Sequence, residues 1–153
     1  MNRLLLAAAL AAAAYFALGQ GFRTPGSPEA SSSPGVSLAA RDASDAVLEN
    51  AFAQRSGKRQ VTGQGTVVKV LRDDRDGSRH QRFVLRLASG LTVLVAHNID
   101  LAPRIDALRA GDTVAFSGEY AWNPKGGVIH WTHRDPRGRH PAGWIRHDGQ
   151  IYQ

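Results

Sequence analysis

The chain has 153 residues, a formal net charge of +6 and no cysteine. That length suits one domain with appendages, and the missing cysteines exclude a disulfide framework and any thiolate metal site, so a metal would need His, Asp, Glu or Asn ligands. The basic balance favours anionic partners such as nucleic acid or cell-envelope polyanions, and it equally suits a soluble, self-repelling protein.

The amino terminus reads MNRLLLAAALAAAAYFALGQGF, with Arg3 ahead of an apolar run that stays uncharged up to Arg23. One basic residue before a short apolar run is the pattern of a secretory signal peptide. The run is slightly long for that purpose, and about 20 apolar residues would span a bilayer. Residues 1–22 are therefore expected to be either a cleaved signal peptide or a retained anchor helix. Both place the rest of the protein outside the cytoplasm, periplasmic or anchored in the inner membrane and facing the periplasm. An uncleaved segment would make the membrane a partner. RTPGSPEASSSPGVS follows, rich in Pro, Gly and Ser with little to bury, so residues 23–43 are expected to form a flexible linker.

The folded domain is expected over residues 44–153. SDAVLENAFAQRSG predicts a helix capped by Ser44, with Asp45 at its positive end, Val47, Leu48, Ala51 and Phe52 on one face, and Gly57 as its stop. From Gln60 the hydrophobic period becomes two. Residues 61–71 predict a first strand, with Gly63 and Gly65 marking a bulge or bend. After the turn DDRDG, RHQRFVLRL alternates, with Phe83, Leu85 and Leu87 on one face. LTVLVAH is a third strand. Pro103 then opens a short helix whose Leu101, Ile105 and Leu108 plug a core. AGDTVAFSGEYAW and VIHWTHR, joined by NPKGG, form a closing hairpin. Three antiparallel strands, a short helix and a hairpin predict a mostly β fold, a small five-stranded OB-fold-like barrel with short helices behind the signal or anchor helix; a half-open five-stranded sheet of another topology, such as an SH3-like barrel, would use similar strings.

Six histidines carry the chemical interest, four of them between His130 and His147. Residues three apart on a regular strand point to opposite faces, so His130 and His133 cannot share one metal there. RDPRGRH reads as a turn that returns His140 towards the strand end, so His133, Asp135 and His140 could converge on a zinc, manganese or iron ion. The alternative is that Asp135 only forms the turn and the rings only bond to backbone. Hairpin geometry places His80 and His97 at one rim as candidate general bases; otherwise His97 simply caps its strand. Trp131 is expected in the core, as large aromatics usually are. OB barrels hold extended polymers on aromatic and basic side chains. Here Trp122 and Trp144 could stack, with Arg82, Arg86, Arg134 and Arg139 as the main charges and Arg79, Lys125 and Arg137 beside them.

LRDDRDGSRHQRFVLRLASG, LVAHNIDLAPRI, GDTVAFSGEYAWNPKGGVIHWTHRDPRGRHPAGWI and the closing GQIYQ together resemble a family of small bacterial proteins that carries only a domain-of-unknown-function label. The resemblance runs from about Val61 to the end. It implies an exported or membrane-tethered bacterial protein, and it brings no activity, substrate or catalytic residue. The leading expectation is an extracytoplasmic OB-like module binding an anionic ligand, nucleic acid or an envelope polyanion. The rival is a metal-dependent hydrolase of phosphodiesters. There His133, Asp135 and His140 would hold the ion, His80 or His97 would act as base, and the arginines would steady the anionic transition state. A purely structural envelope protein is the third reading.

Overall fold

The computed structural model describes residues 38–153; the signal or anchor segment and the linker up to residue 37 lie outside them. Helix α1 runs Leu38–Ala53. It starts ahead of Ser44, so residues 38–43, expected as linker, are helical. Ser44 is no cap: its hydroxyl donates to the Ala40 carbonyl at 2.8 Å, one turn back. Asp45 is likewise interior, buried, and accepts the Ser89 N–H at 2.9 Å. Leu48 and Ala51 enter the core while Val47 stays 39% exposed. The helix ends before Gly57, where Arg55 takes a left-handed φ of 52°. Trp122 donates its indole N–H to the Phe52 carbonyl at 3.1 Å, which satisfies one of the carbonyls a helix end leaves open.

Five strands close a barrel: β1 Arg59–Val70, β2 His80–Arg86, β3 Thr92–Asn98, β4 Thr113–Ala121 and β5 Val128–His130. Their order is β1-β2-β3-β5-β4, and β4 returns to pair with β1. All pairs are antiparallel except β3 with β5. This is the OB-like arrangement that the strand order predicted. β1 makes closure possible because its residues 59–66 pair with β4 and its residues 66–70 with β2. Its register shifts between Val67 and Lys69. Gly65 explains part of the bend, since a Cβ there would stand 2.8 Å from the Arg86 carbonyl oxygen.

The alternating apolar residues fill the interior as expected. Phe83, Leu85, Val93, Val95, Val114, Phe116 and Ile129 have no exposed surface. Each such side chain contributes roughly 1.5–3 kcal/mol of burial. The short helix expected at Pro103 does not form. The backbone of Ile105 is instead held by the side chain of Gln81, whose amide donates to the Ile105 carbonyl at 2.9 Å and accepts its N–H at 2.8 Å. That two-way bond replaces helical partners and still drives Ile105 fully into the core. The tail forms a hairpin, β6 Trp144–His147 and β7 Gln150–Tyr152, where the sequence shows no strand period. Its buried His147 donates to Asp112 at 2.8 Å and ties the hairpin to the start of β4.

Candidate functional site

The site grows from one edge of β4. β5 occupies that edge at residues 119–121, with His130 opposite Glu119. β6 occupies it two residues lower, with Trp144 opposite Ser117. The chain between them therefore leaves the edge and returns almost to the same point. Residues 131–143 form a compact surface loop with adjacent ends, a type frequently functional. At its neck Gly143 donates its N–H to the His133 carbonyl at 2.9 Å. A Cβ on Gly143 would lie 1.9 Å from the Trp131 carbonyl oxygen and 2.6 Å from that of Ser117, so only glycine fits.

Trp131 starts the loop with a φ of 53°. Left-handed backbone at a bulky residue costs on the order of 1–2 kcal/mol and is found where the surroundings enforce it. The turn breaks the strand's alternation. Thr132 and His133 become consecutive buried residues, and Trp131 is left half-buried instead of in the core. Its indole stacks on the His140 ring, centroids 4.1 Å apart and planes within 7°. The His133 ring lies tilted on it at 5.4 Å.

Asp135 organises the rest of the loop. One carboxylate oxygen accepts the N–H of Arg137 at 2.9 Å; the other accepts those of Arg139 at 2.8 Å and His140 at 3.0 Å. The Arg137 amide, with those of Arg139 and His140, holds this carboxyl below its ordinary value against some desolvation. Asp135 is therefore spent on backbone. It does not converge with His133 and His140 on an ion, and among the described residues no group of three or more His, Asp or Glu is placed to hold one.

His140 is held by two acceptors. Its Nδ1 lies 3.0 Å from the Pro141 carbonyl and its Nε2 2.9 Å from Glu119 Oε2. Neither a carbonyl nor a carboxylate can donate, so both ring nitrogens carry hydrogen and the ring is an imidazolium. Burial opposes that charge, but the bonds to Glu119 and Pro141 and the field of Glu119 and Asp135 outweigh it and raise the pKa. The other oxygen of Glu119 stands 3.2 Å from His130 Nε2. That nitrogen is buried and has no hydrogen-bond partner among the described residues. Burial lowers the His130 pKa despite Glu119, so one carboxylate faces one charged and one neutral imidazole.

His80 and His97 do not share a face. The register pairs His80 with Asn98 and His97 with Gln81, which sends His97 inward with Gln81. His97 Nε2 donates to the Pro103 carbonyl at 3.1 Å, which leaves Nδ1 to accept the Thr132 hydroxyl at 2.8 Å. Burial drives its pKa down to about 4. Sealed, neutral and with both nitrogens used, His97 is a strut under the loop and not a base.

Two cavities flank Trp131. A groove of about 590 Å³ is lined by Trp131, Leu101, Asp135, Pro136, Arg137, Arg139 and His140. A smaller cavity of about 360 Å³ is lined by Trp131, Leu101, Ser78, His80, Asn98, His130 and His133. Of the expected ligand residues, Arg139 borders the groove and Arg134 is exposed on the same loop. The others are elsewhere. Arg82 donates to the Arg72 carbonyl at 3.1 Å, Arg86 ends β2, Trp122 is engaged with α1, and Trp144 lies under Arg146 at 5.2 Å. Sequence patterns do not single out Glu119 and they misplace Trp131. Only the pairing of Glu119 opposite His130 in the closing hairpin could have brought the carboxylate to notice.

A family model described as "Protein of unknown function (DUF3465)" matches residues 33–153. The chain belongs to that family, in agreement with the resemblance read from its motifs. No curated protein matches the chain.

Proposed function

We propose that this family member is a binding module that holds an anionic ligand on the 131–143 loop of its barrel. The observation that carries the reading is the collection of positive groups around one indole: Arg137, Arg139 and the His140 imidazolium on a groove walled by Trp131. Neither loop arginine has a carboxylate at salt-bridge distance among the described residues, because Asp135 is committed to backbone amides and Glu119 to histidines. The loop backbone is tied by three amide bonds to Asp135 and by the Gly143 bond at its neck, which lowers the ordering cost of binding. The apolar N-terminal sequence supports an exported protein, periplasmic or held at the inner membrane, where envelope polyanions and nucleic acid are both encountered.

Titration with heparin or a single-stranded oligonucleotide, followed by tryptophan fluorescence at several salt concentrations, tests the reading. Affinity is expected to fall steeply with salt and to weaken in Arg139→Ala and Arg137→Ala. Binding that ignores salt, or that both variants leave intact, would contradict it.

A further inference from the structure

The two cavities have Trp131 and Leu101 as common walls and differ in the polar side chains beyond them. On the groove side the arginines and His140 offer donors, beside the Asp135 carboxylate that also lines the groove. On the other side His80 Nδ1 lies 2.8 Å from the Ser78 carbonyl, and His133 Nδ1 lies 2.8 Å from the Arg134 carbonyl. Each Nδ1 therefore carries a hydrogen, and Nε2 is the ring nitrogen left to meet a ligand. Neither Nε2 has a hydrogen-bond partner among the described residues, and both rings line the smaller cavity. Leu101, 44% exposed, extends the apolar ridge between the two sides.

A matching ligand carries an anion at one end, N–H donors at the other and an apolar plate between them. A sulfated or carboxylated glycan has the anion and hydroxyl donors, and its ring can lay a C–H face on the indole, but it has no flat aromatic base to stack there. A nucleotide unit has all three: a phosphate, a planar base and amino groups on that base. In a duplex those amino groups are paired and the plates are stacked away from protein, whereas a single strand presents them. We infer that the ligand of this site is single-stranded nucleic acid. A phosphate lies against Arg137, Arg139 and His140, and the adjoining base crosses Trp131 and Leu101 with its amino group towards His80 and His133. The inference rests on the anion-binding reading above and adds to it a choice among polyanions.

The test uses the whole chain without a histidine tag, with single-stranded oligonucleotides rich in adenine and cytosine, the matching duplex, and heparin fragments of equal charge, all at one ionic strength. The single strand is expected to bind most tightly. His80→Ala, at a half-exposed position, is expected to weaken the oligonucleotide about fivefold, the value of one neutral hydrogen bond, and to leave heparin unchanged. Arg139→Ala is expected to weaken both. His133→Gln, checked by thermal melting because His133 is buried, repeats the test from the second ring. If heparin binds as tightly as the single strand, or His80→Ala and a folded His133→Gln weaken both ligands alike or neither, the nucleic-acid assignment falls and anion binding stands. If no polyanion binds, both fall.

Discussion

Two open clefts of similar size lie among the described residues, about 590 Å³ beside Trp131 and about 610 Å³ beside the 71–76 turn, and both are lined with arginine. In the second, two of the four lining arginines are paired and three carboxylates share the lining. Arg104 reaches Asp73 at 3.0 Å and Asp106 at 2.8 Å, and Arg82 stands 3.7 Å from Asp74. In the first, neither Arg137 nor Arg139 reaches a carboxylate at salt-bridge distance among the described residues, and Asp135, although it feels the charge of Arg139, gives its hydrogen bonds to three backbone amides of its own loop. The lesson is that an arginine count does not locate an anion site. What matters is where the neighbouring carboxylates have spent their hydrogen-bonding capacity.

The contrast breaks hardest at the loop neck. Gly143→Ala places a Cβ against two carbonyl oxygens, and we expect a loss of about 3 kcal/mol or more in urea unfolding, with polyanion binding abolished. Gly138→Ala, at the loop tip, meets nothing within 4 Å and has only its φ of 63° to resist it, so it is expected to cost about 1 kcal/mol. Equal losses at both positions would mean that the neck is not tightly closed.

The next effect is one of pH. The unfolded chain protonates His97 near 6.5, while the fold holds it neutral down to about 4. The contribution is complete above the higher value and drains away as pH falls to the lower, by about 3 kcal/mol in all. His140 works in the opposite direction. Its folded pKa is raised, so its contribution is present below the ordinary histidine value and is lost as pH climbs through the folded one. Unfolding curves from pH 4 to 7 should therefore slope upward, and His97→Gln should flatten them. An unchanged slope in that variant would remove His97 as the cause.

Glu119→Gln sharpens the comparison more gently. It takes away the carboxylate that holds His140 charged, so the His140 pKa followed by NMR should drop, with about 1 kcal/mol of stability lost from this partly buried pair. Smallest of all, Arg104→Ala in the self-paired cleft should change stability by under about 1 kcal/mol and leave polyanion binding alone.

The barrel was legible because its signals are local. Phe83, Leu85 and Leu87 alternate within one strand, and that period alone assigns their face. The site was legible only in its residue types. The His-Trp-Thr-His run was readable as a strand, but the left-handed turn at Trp131 reverses its parity, and a non-glycine residue gives no warning of that. The glycine that does report the crowding, Gly143, lies twelve positions along and acts through a carbonyl it meets only in the fold. Asp135 was rightly placed in a turn; that its oxygens bond to the loop's own backbone there depends on three amides downstream. The helix at Pro103 failed for a similar reason, since Gln81 competes for the Ile105 backbone from a distant strand. The β6–β7 hairpin escaped notice because its strands are too short to establish a period.

The most direct test of the account is the salt dependence of oligonucleotide binding in two double variants, Arg137→Ala with Arg139→Ala and Arg82→Ala with Arg104→Ala. The first should lower the slope of log affinity against log salt by roughly 0.7, the value for one single-strand phosphate that is no longer neutralised, and the second should leave it as in the parent. The reverse pattern would place the anion in the other cleft and contradict the account.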